Sequence, residues 1–528
     1  MANNANRQIA RAAGTVMFAI LFGQVAGLAR GILVARAFGA SSELDAFFAA
    51  NRVSETLFLL IAGGALGSAF LPTFAGLLAR AETASAWRLA SALANTVTLT
   101  LSLFAILLAI FAPQVVRYAL ASGFSEKPEL FALTVSLLRI QLISAVLFGL
   151  GGLIGSILNA HQAFLVPALT PAMYQLGIIF GTLVLAPSMG IYGLAWGVVI
   201  GAALYVVLQI PSSLRLRASF KSPSTDRWSL GLNDPNVRKV FLLMGPRLLG
   251  VAVVQLNFWV NTNLASHMDD GSVASLTYGF SLMIMAQAAI AQSIAIAALP
   301  TFSAQHALGK TDEMRASLAA SLRGILMLAL PASIGLMLLR EPLISFLYQR
   351  GEFDAHDVQL TAWALLWYAA GLVGHSLMEI LTRAFYAQHD TKTPVIVGTV
   401  AMTLNILFSF LFSNLFAQIG WFPLGGLALA NSLATALEAT ALFIFMRNRL
   451  NGIEGKAIAD GTWRVALSAL GMAIGLMFWI QATPNMMRWV VTLGGVALGG
   501  MIYGIALIAL RVPEVQSVIQ FARRKLRS

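Results

Sequence analysis

The sequence predicts an all-α polytopic membrane protein of about fourteen transmembrane helices, arranged as two parallel-related six-helix lobes followed by a C-terminal helix pair. Three observations carry this. First, 58% of the 528 residues are hydrophobic and only 11% are charged, whereas soluble domains carry roughly 25% charged residues. A water-facing surface for a chain of this length cannot be built from 34 basic and 22 acidic side chains. Second, the apolar residues gather into runs of about twenty, the helical length that crosses a bilayer core about 30 Å thick. Third, two short motifs recur half a chain apart. Collagen-like, disordered and disulfide-stapled classes are excluded by composition, and the absence of cysteine removes thiol catalysis and thiolate metal sites.

Reading apolar runs between polar breaks places spans at 13–37, 46–70, 89–113, 130–157, 164–186, 190–213, 241–265, 272–299, 317–339, 359–383, 394–417, 422–446, 465–482 and 489–510. The separators Pro187 to Gly190 and Ala417 to Pro423 are the thinnest. With both termini in the cytoplasm, 24 of the 34 Lys and Arg fall on the cytoplasmic side and five (Arg117, Lys127, Arg340, Arg350, Arg488) on the other. This is the positive-inside pattern, and it turns the net charge of +12 into a topology record rather than a nucleic-acid groove. The first apolar run is too long for a cleavable signal and lacks a small-residue cleavage site.

Leu71-Pro72-Thr73-Phe74 closes the second span and Leu299-Pro300-Thr301-Phe302 the eighth, an offset of 228. Leu158-Asn159-Ala160-His161-Gln162 follows the fourth span and Phe385-Tyr386-Ala387-Gln388-His389 the tenth, an offset of 227. Six spans separate the copies, so both halves insert in the same orientation, a repeat architecture found in transporters. The expected organisation is an N-lobe at 1–214, a basic interfacial linker at 215–239, a C-lobe at 240–446, and helices thirteen and fourteen with a basic cytoplasmic tail at 447–528.

Enzyme constellations are missing. Gly309-Lys310-Thr311 resembles the end of a phosphate-binding loop, but position 304 is alanine and no strand precedes it. The six histidines show no metal-ligand spacing. The chain is therefore expected to be no enzyme, with no cofactor and no metal. Charges at membrane depth cost several kcal/mol and face a cavity or a partner. They are Arg30 and Arg36 in the first span, Arg52 and Glu55 in the second with Asp45 at its mouth, Arg139 in the fourth, Arg247 in the seventh, His375 and Glu379 in the tenth, and Glu438 in the twelfth. Arg52 and Glu55 are three apart, the spacing of an intrahelical ion pair. Arg36 and Arg247 lie where a long side chain can reach the membrane edge. Arg30 follows Gly23 and Gly27 and precedes Gly31, a spacing that permits close helix approach. Its guanidinium suits a phosphate, because the planar fork binds two oxygens at once. Gly151/Gly155, Gly471/Gly475 and Gly495/Gly499 read as packing positions. Pro246 and Pro331 are candidate kinks.

These residues resemble the MurJ/MviN family of lipid II flippases, within the multidrug/oligosaccharidyl-lipid/polysaccharide exporter superfamily. The likeness rests on Gly27-Leu28-Ala29-Arg30, Val34 to Ala40, Asp45 to Ala49, Gly64-Ala65 with Ala69 to Pro72, Gly245-Pro246, Arg350 to Phe353, and Phe385 to Ala387 through Asp390 to Val395. It covers about 8–446. The resemblance implies alternating access, a cationic cavity for the pyrophosphate of a lipid-linked disaccharide-pentapeptide, and a lipid-tail groove on helices thirteen and fourteen. It matches Arg30 to a cavity arginine and Asp45 to a functional acid. Where the family carries further cavity arginines this chain has Gln24, Phe58 and Ser281, and two family acids are Gly31 and Gly63.

The expectation is a plasma-membrane flippase for a polyprenyl-pyrophosphate-linked cell-wall precursor. Arg30, Arg52 and Arg247 would bind the pyrophosphate; Asp45, Glu55, Glu379 and Glu438 would serve gating or coupling. The expected partners are the lipid-linked oligosaccharide, membrane lipids and cell-wall synthesis enzymes, and the expected state is a monomer. The competing readings are a proton- or sodium-coupled drug/cation antiporter and a non-transporting scaffold.

Overall fold

The computed structural model describes residues 2–60, 69–219, 230–231 and 233–516. Every regular element among them is helical. The chain divides into two compact units, Met1–Val273 and Ala274–Ser528. The first holds α1 (Ala2–Phe38), α2 (Ser42–Phe58), α3 (Leu71–Ala79), α4 (Thr83–Ile110), α5 (Ala112–Val115), α6 (Pro128–Ala160), α7 (Leu165–Phe180), α8 (Ala186–Met189), α9 (Ile191–Val207), α10 (Ile210–Ser219) and α11 (Pro235–Ala265). α12 (Ser272–Gln287) begins at the division. The second unit continues with α13 (Ser293–Ala307), α14 (Thr311–Leu338), α15 (Arg340–Tyr348), α16 (Ala355–Ala370), α17 (Leu372–Ala387), α18 (Lys392–Gln418), α19 (Leu424–Arg449), α20 (Gly455–Ala482) and α21 (Arg488–Ala509). α11, the expected first helix of the C-lobe, thus falls within the first compact unit.

Among the described residues eleven helices are long and apolar enough to cross a membrane, and two bent pairs raise the number to thirteen. These match thirteen of the fourteen expected spans. The remaining one, 46–70, runs over residues outside the described set, as do Gly63, Gly64 and Ala65, part of the linker and the last residues of the tail. Both thin separators hold. Each turns at a glycine in the left-handed region, Gly190 at φ +58° and Gly420 at φ +77°, where a side chain would be strained.

The repeat is visible in backbone geometry. Ala81 and Gly309, 228 apart, both have positive φ, as do Gln162 and His389, 227 apart. Phe74 and Phe302 of the recurring motif are both fully buried, each in its own unit's core. A π-helical stretch, Ala288–Gln292, begins 228 residues after the π-helical Leu60.

The tenth span is broken rather than continuous. α16 and α17 meet at Gly371 with a 44° bend. A Cβ on Gly371 would strike Ser432 of α19, so only glycine lets the helices meet there. Breaking a helix in a membrane strands carbonyl groups. Here the Ser432 hydroxyl donates to the Trp367 carbonyl at 2.6 Å and the Ser333 hydroxyl to Ala369 at 2.7 Å. By contrast α14 runs through Pro331 as one helix, while α11 bends between Gly245 and Gly250, beside Pro246.

The glycine seam lies elsewhere than expected. A Cβ on Gly23 would meet nothing, and one on Gly27 only the Gln175 amide at 3.6 Å. Backbones approach closely between α7 and α9, where Gly177 and, just past the end of α7, Gly181 face Gly197 and Gly201. Four glycines at four-residue spacing on both partners leave no side chain between the helices; Gly23 and Gly27 lack a partner of that kind. Gly151 does pack, against the Tyr205 ring, and Gly155 against Gln209. In the second unit Gly475 meets Ile502, Gly495 meets Leu339 and Trp479, and Gly499 meets Leu476. The C-terminal pair α20–α21 is held by the Tyr503 hydroxyl on the Met327 carbonyl at 2.6 Å and by Arg464 on the Leu510 carbonyl at 3.1 Å.

Candidate functional site

Each unit presents its own polar constellation. In the first, α2 carries Asn51, Arg52, Glu55 and Thr56 along one stretch. Arg52 Nη1 pairs with Glu55 at 3.0 Å, with the arginine side chain 18% and the glutamate 44% exposed. The Arg52 guanidinium lies 5.0 Å from the centre of the Phe258 ring on α11, while its Nε is buried with no partner. One turn on, the Thr56 hydroxyl lies 2.7 Å from the Arg52 carbonyl and 3.2 Å from Gln255 Oε1, and accepts from Trp259 Nε1 at 2.9 Å. These bonds tie α2 to α11.

Tyr174 of α7 completes the group. Its hydroxyl hydrogen-bonds Asn51, and it lies within electrostatic reach of both Arg30 and Glu55. Arg30 stands one turn past Gly27, where α1 packs on Gln175. Arg30 and Glu55 thus lie near Tyr174, and Arg52 joins them through its pair with Glu55. Arg247 lies on α11, but its side chain is outside the described residues.

Asp45 belongs to a different place, the mouth of α2. It is 2% exposed, and its Oδ2 accepts from the Gly271 N–H at 2.8 Å. Gly271 has φ +85°, and a Cβ there would collide with the Ala40 carbonyl. The turn after α11 is therefore pressed onto the α1–α2 turn. The same turn is fastened to the 122–127 segment: Gly123 N–H donates to the Ser266 hydroxyl at 3.0 Å, the Ser122 hydroxyl contacts His267 Nε2 at 2.9 Å, and Lys127 pairs with Asp270 at 2.6 Å. These contacts join three turns, with Asp45 at their buried end.

In the second unit Glu379 pairs with Arg383 at 2.8 Å. Glu438 of α19 is only 8% exposed, with Oε1 3.2 Å from where a Cβ on Gly398 of α18 would sit. His375 shares a buried hydrogen bond of 3.0 Å with Asn431. The Asp390 motif has a mechanical role: its carboxylate accepts the Lys392 and Thr393 N–H groups at 3.0 Å each, capping α18, and pairs with Arg449 at 2.6 Å.

The three positions without the resembled arginines are filled differently. Phe58 stacks 4.7 Å from Phe148, which in turn meets Tyr174 at 5.1 Å. The Ser281 hydroxyl returns to the Thr277 carbonyl at 2.7 Å, and Gln24 is exposed. Sequence reasoning missed Asn51, Tyr174 and the α11 partners. The signal was present in Gln255, Asn257, Asn261, Thr262 and Asn263, amides and a hydroxyl crowding one apolar run, costly in a membrane unless they find partners.

Comparisons with known proteins place the fold and the family. Residues 34–493 match the model of the family described as lipid II flippase MurJ. A protein of Burkholderia cenocepacia named lipid II flippase MurJ is 32% identical over 475 residues, covering 89% of each chain. A solved structure described as lipid II flippase MurJ in an inward closed conformation superposes with a TM-score of 0.78 at 25% identity, covering 94% of this chain and 98% of that one. An inward-facing multidrug transporter of the MATE family superposes with a TM-score of 0.66 at 15% identity, covering 81% and 94%, a likeness of fold alone. A family model spanning most of the chain and a relative this similar along nearly its whole length place the protein: it belongs to the lipid II flippase MurJ family.

Proposed function

We propose that the chain carries lipid II across the bacterial plasma membrane by alternating access, supplying peptidoglycan synthesis from a multi-pass body with both termini in the cytoplasm. The observation that carries the reading is the convergence of Arg30, Arg52, Glu55 and Tyr174 in a family whose named members are lipid II flippases. Arg30 and Arg52 hold the pyrophosphate, with Arg247 as a third contact. Glu55 keeps Arg52 in place until the substrate competes for it. Asp45 closes a latch at the α2 mouth, and releasing Gly271 opens it. Glu379 and Glu438 serve coupling. Moving one charge across the full membrane potential supplies about 2.3 kcal/mol per 100 mV, so the cycle runs without a nucleotide or a cofactor. The protein acts as a monomer and hands its cargo to wall-synthesis enzymes.

The test is rescue of bacteria depleted of their own lipid II flippase. Expression of this chain restores growth and shape. Normal membrane expression without rescue, beside rescue by the Burkholderia relative, refutes the lipid II reading.

A further inference from the structure

One charged pair lies outside the constellations above. α4 presents Leu103, Phe104, Ile106, Leu107, Ile110 and Phe111 outward, all more than 40% exposed, which marks a lipid-facing flank. α6 packs antiparallel on it, with Gly149 against Leu101. On this flank Arg139 is exposed, and its Nε donates to the Ala109 carbonyl at 3.0 Å, in the last turn of α4. Arg117 sits just beyond, its guanidinium 5.3 Å from the Phe131 ring. Neither arginine has an ion pair among the described residues. Lys127 of the same end is taken by Asp270.

Depth decides what such arginines can reach. α6 has 33 residues, about 50 Å at 1.5 Å per residue, against a hydrocarbon core of about 30 Å. With the excess shared between its ends, Arg139 lies roughly 6 Å beneath the hydrocarbon edge, within reach of the headgroup layer for a long side chain. Arg117 lies nearer the surface. The Ala109 carbonyl fixes the guanidinium by Nε and leaves the outer edge of its fork to a ligand. Two unpaired guanidinium groups at headgroup height over an apolar face are complementary to a phosphodiester carrying acyl chains. We propose that the α4–α6 flank is a binding site for an anionic phospholipid of the phosphatidylglycerol type, with the phosphate held by Arg139 and Arg117 and the acyl chains lying along α4.

The site is tested by native mass spectrometry of the full-length protein titrated with phosphatidylglycerol or phosphatidylcholine. The wild type retains phosphatidylglycerol about tenfold better, a preference that falls with added salt. The Arg117→Gln/Arg139→Gln double variant loses that preference, while Arg350→Gln keeps it. Glutamine at 139 still has an N–H for Ala109; should the double variant fail to fold, Arg117→Gln alone lowers the preference about threefold. An unchanged preference in a folded variant, or equal retention of both lipids by the wild type, overturns the proposal.

Discussion

At the residue scale, the acids of this chain divide by what holds them. Asp390 is the clearest case outside the membrane. Partial burial by itself would raise its carboxyl, but the Thr393 N–H and hydroxyl and the Arg449 guanidinium pull it down to about 2. A depressed folded-state value means stability present above the ordinary carboxylate range and lost only as pH falls toward 2. The cap and ion pair are therefore constant across physiological pH. Asp390→Ala removes both, and loss of such a cap costs about 1–2 kcal/mol. Its melting temperature in detergent is expected to drop by the same amount at pH 5 and pH 8; a deficit at pH 8 that vanishes at pH 5 contradicts this assignment. Two other acids are held differently: Glu438 is enclosed against Gly398, and Glu55 is half exposed and shared with Arg52.

At the scale of elements, the glycines separate function from packing. α7 and α9 meet backbone to backbone, so Gly177→Val forces the helices apart. Overpacking of this kind costs about 1–3 kcal/mol and is read as a lowered unfolding temperature. Gly23→Ala, where a Cβ meets nothing, is expected to be neutral or slightly stabilising. Equal losses at the two positions would contradict the packing described here. The spans themselves were legible because twenty apolar residues leave little alternative in a bilayer. The turns were legible because glycine and the recurring motifs mark them. The break at Gly371 was not, because its glycine stands in a run as apolar as its neighbours, and the serines that repair it come from α14 and α19. The α7–α9 seam went unread for a related reason: close approach needs small residues on both partners, and periodicity within one helix does not reveal the other.

At the scale of the whole molecule, topology and chemistry came from different parts of the same charge count. In the proposed orientation most Lys and Arg mark the cytoplasmic side, and the few at membrane depth form the proposed site. Arg30, Arg52 and Glu55 stand out as candidates in the sequence because charge in a span is conspicuous. Tyr174 and Asn51 do not, because they become part of a site only when α1, α2 and α7 are packed together. The positions that lack the resembled arginines are occupied by an aromatic cluster at Phe58 and by self-satisfied or exposed groups at Ser281 and Gln24, so the proposed pyrophosphate site rests on Arg30, Arg52 and Arg247. The central claim is then a single dependence. In proteoliposomes under an imposed potential, the wild-type protein is expected to translocate lipid II, and Arg30→Ala to slow it by roughly ten- to a hundredfold, the worth of about 1.5–3 kcal/mol of charge-assisted hydrogen bonding. Translocation by Arg30→Ala at the wild-type rate would contradict the account.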